Sequence, residues 1–516
     1  MEFLKNVRLI QGGMGAYVSN WRLARVVSME RPGITAGTVS GIGLDVGYAR
    51  LLELGDSGGN IRRALESFDE RFGSGIGMEF FNRYFIKGGK APGERFRHFP
   101  IQTVHSIDGT DSIPSINPRT GEPFLLSVES DVVERVILTA YAEVWLAKAG
   151  HTGKIFINFL KKIELPLVLA MYGAMLAGVD GIVVGAGSPE GLPAICSKLA
   201  QHEAVEIDIP MLYRESGESF QLLFDPKSVA GGCLVQHAVE KPAFLAIASL
   251  ETLVQALAQS PTGAPDGFII EHHTAGGHNA GPQGPMVKDS FGQPQYGQAD
   301  EPNLDLIRAV GLPFWLAGGY GSREKLQQAI ALGATGVQVG TNFALTGESG
   351  MKPEYRDAIL SEIKKGTDDA SLVRTTLFSP TGYPFKVVQL QGTLAEEKVY
   401  TDRRRICDIG LLQQRGLSKA DADGNRKVFQ RCAAGPLEAF VRDRGLPQNT
   451  EEKRCLCNGL LSTVGLAQVL SKDGVLSEEP AIVTLGNHLD GVRRLSMNGQ
   501  VTYWVKDVVV DILGES

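Results

Sequence analysis

Three histidines and a carboxylate crowd the end of one short apolar run. Residues 266–281 read D-G-F-I-I-E-H-H-T-A-G-G-H-N-A-G, so Glu271, His272, His273 and His278 follow directly on Gly267-Phe268-Ile269-Ile270. Imidazoles exchange protons near neutral pH, and a nearby carboxylate can support them. Gly276 and Gly277 lack a Cβ and let a flat or phosphorylated ligand approach the backbone. The chemistry expected here is proton transfer beside a bound ligand. A metal site built from His272, His273 and His278 is a weaker alternative, because neighbouring residues of an extended chain point to opposite sides.

A second chemical signal lies downstream. Ala317-Gly318-Gly319-Tyr320-Gly321 leads into Ser322, and Val339-Gly340-Thr341 follows a second apolar run. Glycine-bared N–H groups with a helix start behind them make an anion site, here for a phosphate. A third signal is sulfur. Four of the six cysteines, Cys407, Cys432, Cys455 and Cys457, fall after residue 400. Thiolates could hold an iron–sulfur cluster or zinc, although no C-x-x-C is present. Buried free thiols are the alternative, and Cys196 and Cys233 read as core residues.

The elements that must position these groups alternate strand and helix. Strands are expected at Leu9-Ile10, 34–37, 155–159, 181–185, 243–248, 267–271, 313–317 and 336–339. Helices follow at 20–28, 165–177, 192–200, 251–259, 304–310 and 322–331. Eight such repeats predict a closed α/β barrel of the (β/α)8, or TIM, type, whose sites lie at the C-terminal strand ends. Residues 45–153 interrupt the rhythm after the second strand. They carry helices near 60–72 and 129–148, the latter with Val132, Val136, Ile137, Ala140 and Val144 on one face, and an aromatic-rich stretch between. As an insertion at that point it is expected over the active-site face, as a lid or a subunit contact. Residues 279–302 form a polar loop long enough to fold over a site.

Gly55-Asp56-Ser57-Gly58-Gly59 matches the nucleophile-elbow pattern, but no strand precedes it, so it is read as a chance match. Gln11-Gly12-Gly13-Met14-Gly15 has Val18 where a dinucleotide fingerprint needs its third glycine, which excludes that reading. The expected division is a barrel over 1–350 and a C-terminal extension over 351–516. A net charge of −7 gives no argument for nucleic acid or an anionic membrane surface, and no run is long enough to span a bilayer. With 43% hydrophobic residues and no apolar leader at its start, the chain is expected to be soluble and cytoplasmic.

Four motifs carry a family resemblance: I-Q-G-G-M-G at 10–15, T-A-G-G-H at 274–278, L-A-G-G-Y-G at 316–321 and V-Q-V-G-T at 337–341. In this order they resemble nitronate monooxygenases, formerly 2-nitropropane dioxygenases, whose barrel also serves FMN-dependent enoyl reductases, including trans-acting ones of polyketide synthesis. The resemblance covers roughly 1–350 and implies an FMN-dependent oxidoreductase acting on a small or carrier-bound substrate. It implies flavin contacts from Gly12, Gly13, Met14, Asn158, Gly276 and Gly277, and phosphate contacts from Gly318, Gly319, Gly340 and Thr341. His278 matches the family's base, with Glu271 and His273 as its expected support. Here Asn279-Ala280 follows His278 where the family has x-G, and Gly13 stands where Pro is common. Electrons would come from NAD(P)H or a donor protein, and a homodimer is compatible with the insertion. The other function considered is a flavin-binding partner without turnover.

Overall fold

The computed structural model describes residues 1–106, 113–114, 122–472, 474–496 and 502–515. Part of the 45–153 insertion therefore lies outside the described residues.

Eight parallel strands close on themselves: β1 (Leu9–Gln11), β2 (Thr35–Ser40), β3 (Lys154–Leu160), β4 (Gly181–Gly185), β5 (Ala243–Ala248), β6 (Gly267–Glu271), β7 (Phe314–Ala317) and β8 (Gly336–Val339). The ring runs in sequence order, and β1 seals it by pairing Leu9 with Val337 and Gln11 with Val339. The expected barrel is present with each strand where the apolar runs put it. Their Ile, Val, Leu and Phe content fits strands covered on both faces.

Packing inside the barrel explains its closure. Leu4, Val7, Ile10, Phe156, Leu245, Ile269 and Trp315 fill the N-terminal end, and Trp315 Nε1 donates to Val7 O at 2.9 Å. The short 3-10 turn Glu2–Asn6 thus plugs the floor. Helix α1 (Trp21–Glu30) starts at Asn20, whose side chain accepts from the N–H groups of Arg22 and Leu23. It lies so close to β2 that a Cβ on Gly37 would fall 1.8 Å from Ala24 O, which only glycine permits.

The helical layer continues with α2 (Ser130–Lys148), α3 (Glu164–Leu176), α4 (Leu192–Ala200), α5 (Glu251–Ala258), α6 (Leu304–Ala309) and α7 (Arg323–Ala331). The eighth helix is not next in sequence. It is α8 (Val505–Leu513), near the end of the chain, and it packs between α1 and α7. Its Val505, Val508, Val509 and Ile512 are buried. The stretch read as a C-terminal extension therefore leaves after β8 and ends inside the barrel's own helical layer.

The insertion after β2 contributes helices Leu44–Glu53, Asn60–Phe72 and Ile76–Tyr84, packed against α2. Asp56 accepts from the N–H groups of Ile61 and Arg62, and Ser57 is exposed, so the elbow-like pentapeptide is a helix-start turn. A second insertion, between α4 and β5, was not foreseen. Its strands Val205–Asp208 and Phe220–Phe224 join Phe124–Val128 and Val104–Ser106 in one four-stranded sheet. Among the described residues no helix is long and apolar enough to cross a membrane.

If α8 belongs to the barrel, Ile512→Ala should cost about 2–5 kcal/mol, the usual cost of emptying a buried branched side chain. Thermal unfolding should keep a single transition at lower temperature. A barrel transition that stays in place beside a separate, weakened one would show that the tail unfolds independently.

Candidate functional site

All eight C-terminal strand ends open into one large cavity. Its lower wall is Gly12, Gly13 and Met14 after β1, Ser40 of β2, Asn158 and Leu160 of β3, Gly185 of β4, Ile247 of β5, Glu271 of β6, Ala317 of β7 and Gln338 with Val339 of β8. Gly276, Gly277, His278, Gly318, Gly319, Gly340 and Thr341 complete it. Every flavin-contacting and phosphate-contacting residue expected above lines this cavity.

Close approach explains several of these glycines. A Cβ on Gly13 would meet Asn158 Cβ at 2.4 Å, and one on Gly276 would meet the backbone N of Gly486 at 2.8 Å. Behind Gly318 and Gly319, Ser322 Oγ accepts from Lys325 N–H at 3.2 Å and caps α7, whose N-terminus faces the same end of the barrel. This supplies the partial positive charge an anion site requires. Gln338 stands on β8 with its Oε1 buried and without a hydrogen-bond partner among the described residues. An orphaned acceptor in a cavity wall is costly unless a ligand donor meets it.

His278 sits where a double strap holds it. Its backbone bridges Phe385, Lys386 N donates to Gly277 O at 3.0 Å, and Gly277 N donates to Thr484 Oγ1 at 2.8 Å. Its Nε2 is 2.8 Å from Ser379 Oγ, leaving Nδ1 as the second ring nitrogen. Burial, aided by the positive charge of Lys162, holds its pKa well below the ordinary histidine value, so the imidazole is neutral at neutral pH. Glu271 is pushed up to about 7 by burial, opposed by the charge of Lys386. Lys386, buried with Nζ donating to Thr375 Oγ1 at 2.8 Å, is lowered to about 8 by burial, against the pull of Glu271.

His273 goes elsewhere. It is absent from the cavity wall and stacks on Tyr296, with ring centres 3.9 Å apart and planes 3° from parallel. Burial, then the charges of His272 and Lys386, lowers it to about 4. The expected divergence of His272 and His273 also fails. Their ring centres are 3.9 Å apart, and ring nitrogens of both lie within 4.8 Å of each other and of a Glu301 oxygen. The strand ends at Glu271, so alternation no longer governs the next two side chains. His278 is not part of that group.

The roof of the cavity is not the one expected. Among the described residues, none of 45–153 and none of 279–302 lines it. Leu411, Leu412, Leu456, Cys457, Leu460 and Leu461 cover it instead, with Thr484, Leu485, Gly486 and His488 on the side of Gly319 and Thr341. The segment after β8 thus performs the covering role assigned to the insertion.

Residues 234–388 match the nitronate monooxygenase family. The likeness read from the four motifs therefore holds. A probable nitronate monooxygenase of Bacillus subtilis (strain 168) is 27% identical over 184 residues, which are 34% of this chain and 45% of that one. The chain thus spans less than half the length of that curated relative. Among solved structures, FabK from Thermotoga maritima aligns with a TM-score of 0.44 and 14% identity, covering 99% of this chain and 93% of that one. The enoyl reductase domain of MlnA from the macrolactin cluster of Bacillus amyloliquefaciens gives 0.39 and 12%, covering 97% and 92%. Likeness this distant says nothing of chemistry.

Three kinds of residue escaped sequence reasoning. Lys162, after β3, has a buried Nζ with no hydrogen-bond partner among the described residues, lies 4.6 Å from the Tyr383 ring centre, and is lowered to about 7 by burial. Nothing in K-K-I-E marks it. Gln338 was legible, since an amide inside a buried apolar strand is unusual. The roof leucines carry no local signal.

Replacing Lys162 with Met keeps the bulk but removes the cation that depresses His278. The His278 midpoint, followed by NMR, should move upward. An unmoved midpoint would show that the two groups do not interact.

Proposed function

We propose that the protein is an FMN-dependent oxidoreductase of the nitronate monooxygenase and enoyl reductase type. The observation that carries this reading is the cavity itself: eight strand ends, close glycine approaches at Gly12, Gly13 and Gly276, an orphaned Gln338 amide and a neutral buried His278 on one wall. The residues fit a flavin mononucleotide. Gln338 would meet a donor on the ring edge. Gly318, Gly319, Gly340 and Thr341, beside the N-terminus of α7, would hold a single phosphate, and the absent third glycine of Q-G-G-M-G argues against a dinucleotide. Bound there, FMN supplies hydride or single-electron chemistry.

The chain's own residues then divide the work. His278, fixed through Nε2 by Ser379, takes or returns the substrate proton at Nδ1. Glu271, near half-ionised at neutral pH with Lys386 beside it, sets the charge of the strand end. The roof leucines exclude water from the reacting face. In this arrangement the strand ends form the floor and Leu411, Leu412, Leu456, Leu460 and Leu461 the roof, while α8 from the same segment returns to the barrel wall. The apolar roof also favours a second reading within the same class, a trans-acting reductase whose substrate is an unsaturated acyl chain on a carrier. Electrons for it would come from NAD(P)H or a donor protein.

Heat-released ligand should have the mass of FMN; FAD, or no flavin in fresh protein, would overturn the proposal. His278→Ala should keep the flavin and lose about 10²–10⁴-fold in turnover, the usual worth of a positioned acid or base. Near-normal turnover in that variant would remove His278 from the mechanism. Flavin that is neither reduced nor reoxidised by any nitronate or enoyl substrate would instead favour a non-catalytic flavin-binding protein.

A further inference from the structure

Cys407, Cys432, Cys455 and Cys457 are spread over fifty residues of sequence, yet all four line one small cavity in the roof. A Cβ on Gly435 would fall 3.3 Å from Cys407 Cβ and 3.7 Å from Cys432 Cβ, so these two side chains are neighbours. Cys455 caps the helix Leu456–Thr463, and Cys457 stands in that helix's first turn. The chain turns from extended to helical between them, so both sulfurs reach the same space without the strand geometry their spacing suggests.

Two of the sulfurs also meet amide donors. Gln413 Nε2 donates to Cys407 Sγ at 3.5 Å, and Asn458 Nδ2 donates to Cys455 Sγ at 3.9 Å. Gly435 N donates to Cys432 O at 2.9 Å and holds the turn that carries Cys432. Buried Arg403, ion-paired with Glu479 at 2.5 Å, also lies near Cys432 and Cys455. A merely packed thiol needs none of this, since it behaves as a small hydrophobe. Thiolates of an iron–sulfur cluster do, because N–H groups aimed at sulfur and nearby positive charge offset their negative charge.

The spacing of the sulfurs separates the two candidate centres. Four thiolates on one zinc, each at about 2.3 Å, lie about 3.8 Å from one another. Here no three of the four sulfurs fall within 4.8 Å of each other. That wider spacing suits a larger centre.

We propose that Cys407, Cys432, Cys455 and Cys457 bind a [4Fe–4S] cluster. Cys457 lines both this cavity and the large one below it, so the cluster would share a wall with the flavin site. Binding itself does not depend on the flavin reading. Iron with no flavin, or flavin with no iron, would each decide one proposal without the other.

Full-length protein purified without oxygen should contain about four iron and about four acid-labile sulfide per chain, with broad absorbance beyond any flavin bands that bleaches on dithionite reduction. Cys432→Ser and Cys455→Ser should lose that iron and sulfide while their circular dichroism stays native. Cys196→Ser, altering a buried thiol of α4, should keep both. Wild-type protein with stoichiometric zinc, with neither metal, or with a Cys407–Cys432 disulfide would overturn the proposal. Should the serine variants prove insoluble, the wild-type metal content alone decides it.

Discussion

The barrel cannot do without its eighth helix, and the chain supplies that helix only at its end. The buried face of α8 closes the gap between α1 and α7, where it covers apolar surface that would otherwise face water. Residues 340–504 must therefore leave the barrel at the C-terminal end of β8 and return to the same molecule. Because that end is also where all eight strands open, the excursion passes over the cavity. The roof leucines, the Thr484–Gly486 strap and the four thiols are all consequences of where the eighth helix lies.

Buried arginines tie the excursion to the rest of the molecule. Arg415 pairs with Glu164 of α3 at 2.8 Å, Arg426 with Glu218 of the second insertion at 2.5 Å, and Arg50 of the first insertion with Asp408 at 3.5 Å. Arg50 also donates to Leu466 O at 2.7 Å. Desolvation consumes much of what such pairs contribute, so they say little about net stability. They do fix position, since shifting the roof would leave a charge buried and alone. The cavity is thereby held by the two insertions as well as by the strand ends, which suits a site that must exclude water.

Electrostatics inside the cavity follow from the same enclosure. Burial lowers His278 and Lys162 and raises Glu271, three groups around one space whose ordinary values span six units of pH. Enclosure brings Glu271 and Lys162 both close to 7 and keeps His278 uncharged. A neutral base and a half-ionised carboxyl on one cavity wall, with a half-ionised amine acting on that base from outside the wall, is an arrangement suited to moving a proton at neutral pH.

What the amino-acid sequence determined by itself was the barrel and its floor. Eight apolar runs, each ended by glycine or a polar cluster, specify strands buried on both faces, and the strand-end motifs name residues that must share one rim because a closed barrel has only one C-terminal face. His278, Glu271, Asn158 and the glycine pairs were legible for that reason. Tertiary structure alone decided the rest. His273 turns to Tyr296 once the chain leaves β6, the helices at 44–84 pack on α2 and no described residue of 45–153 lines the cavity, and a roof is brought in from beyond residue 400. Lys162 becomes perturbed only because long-range packing buries it beside Tyr383. Such contacts join residues up to hundreds of positions apart, and no local periodicity or spacing encodes them.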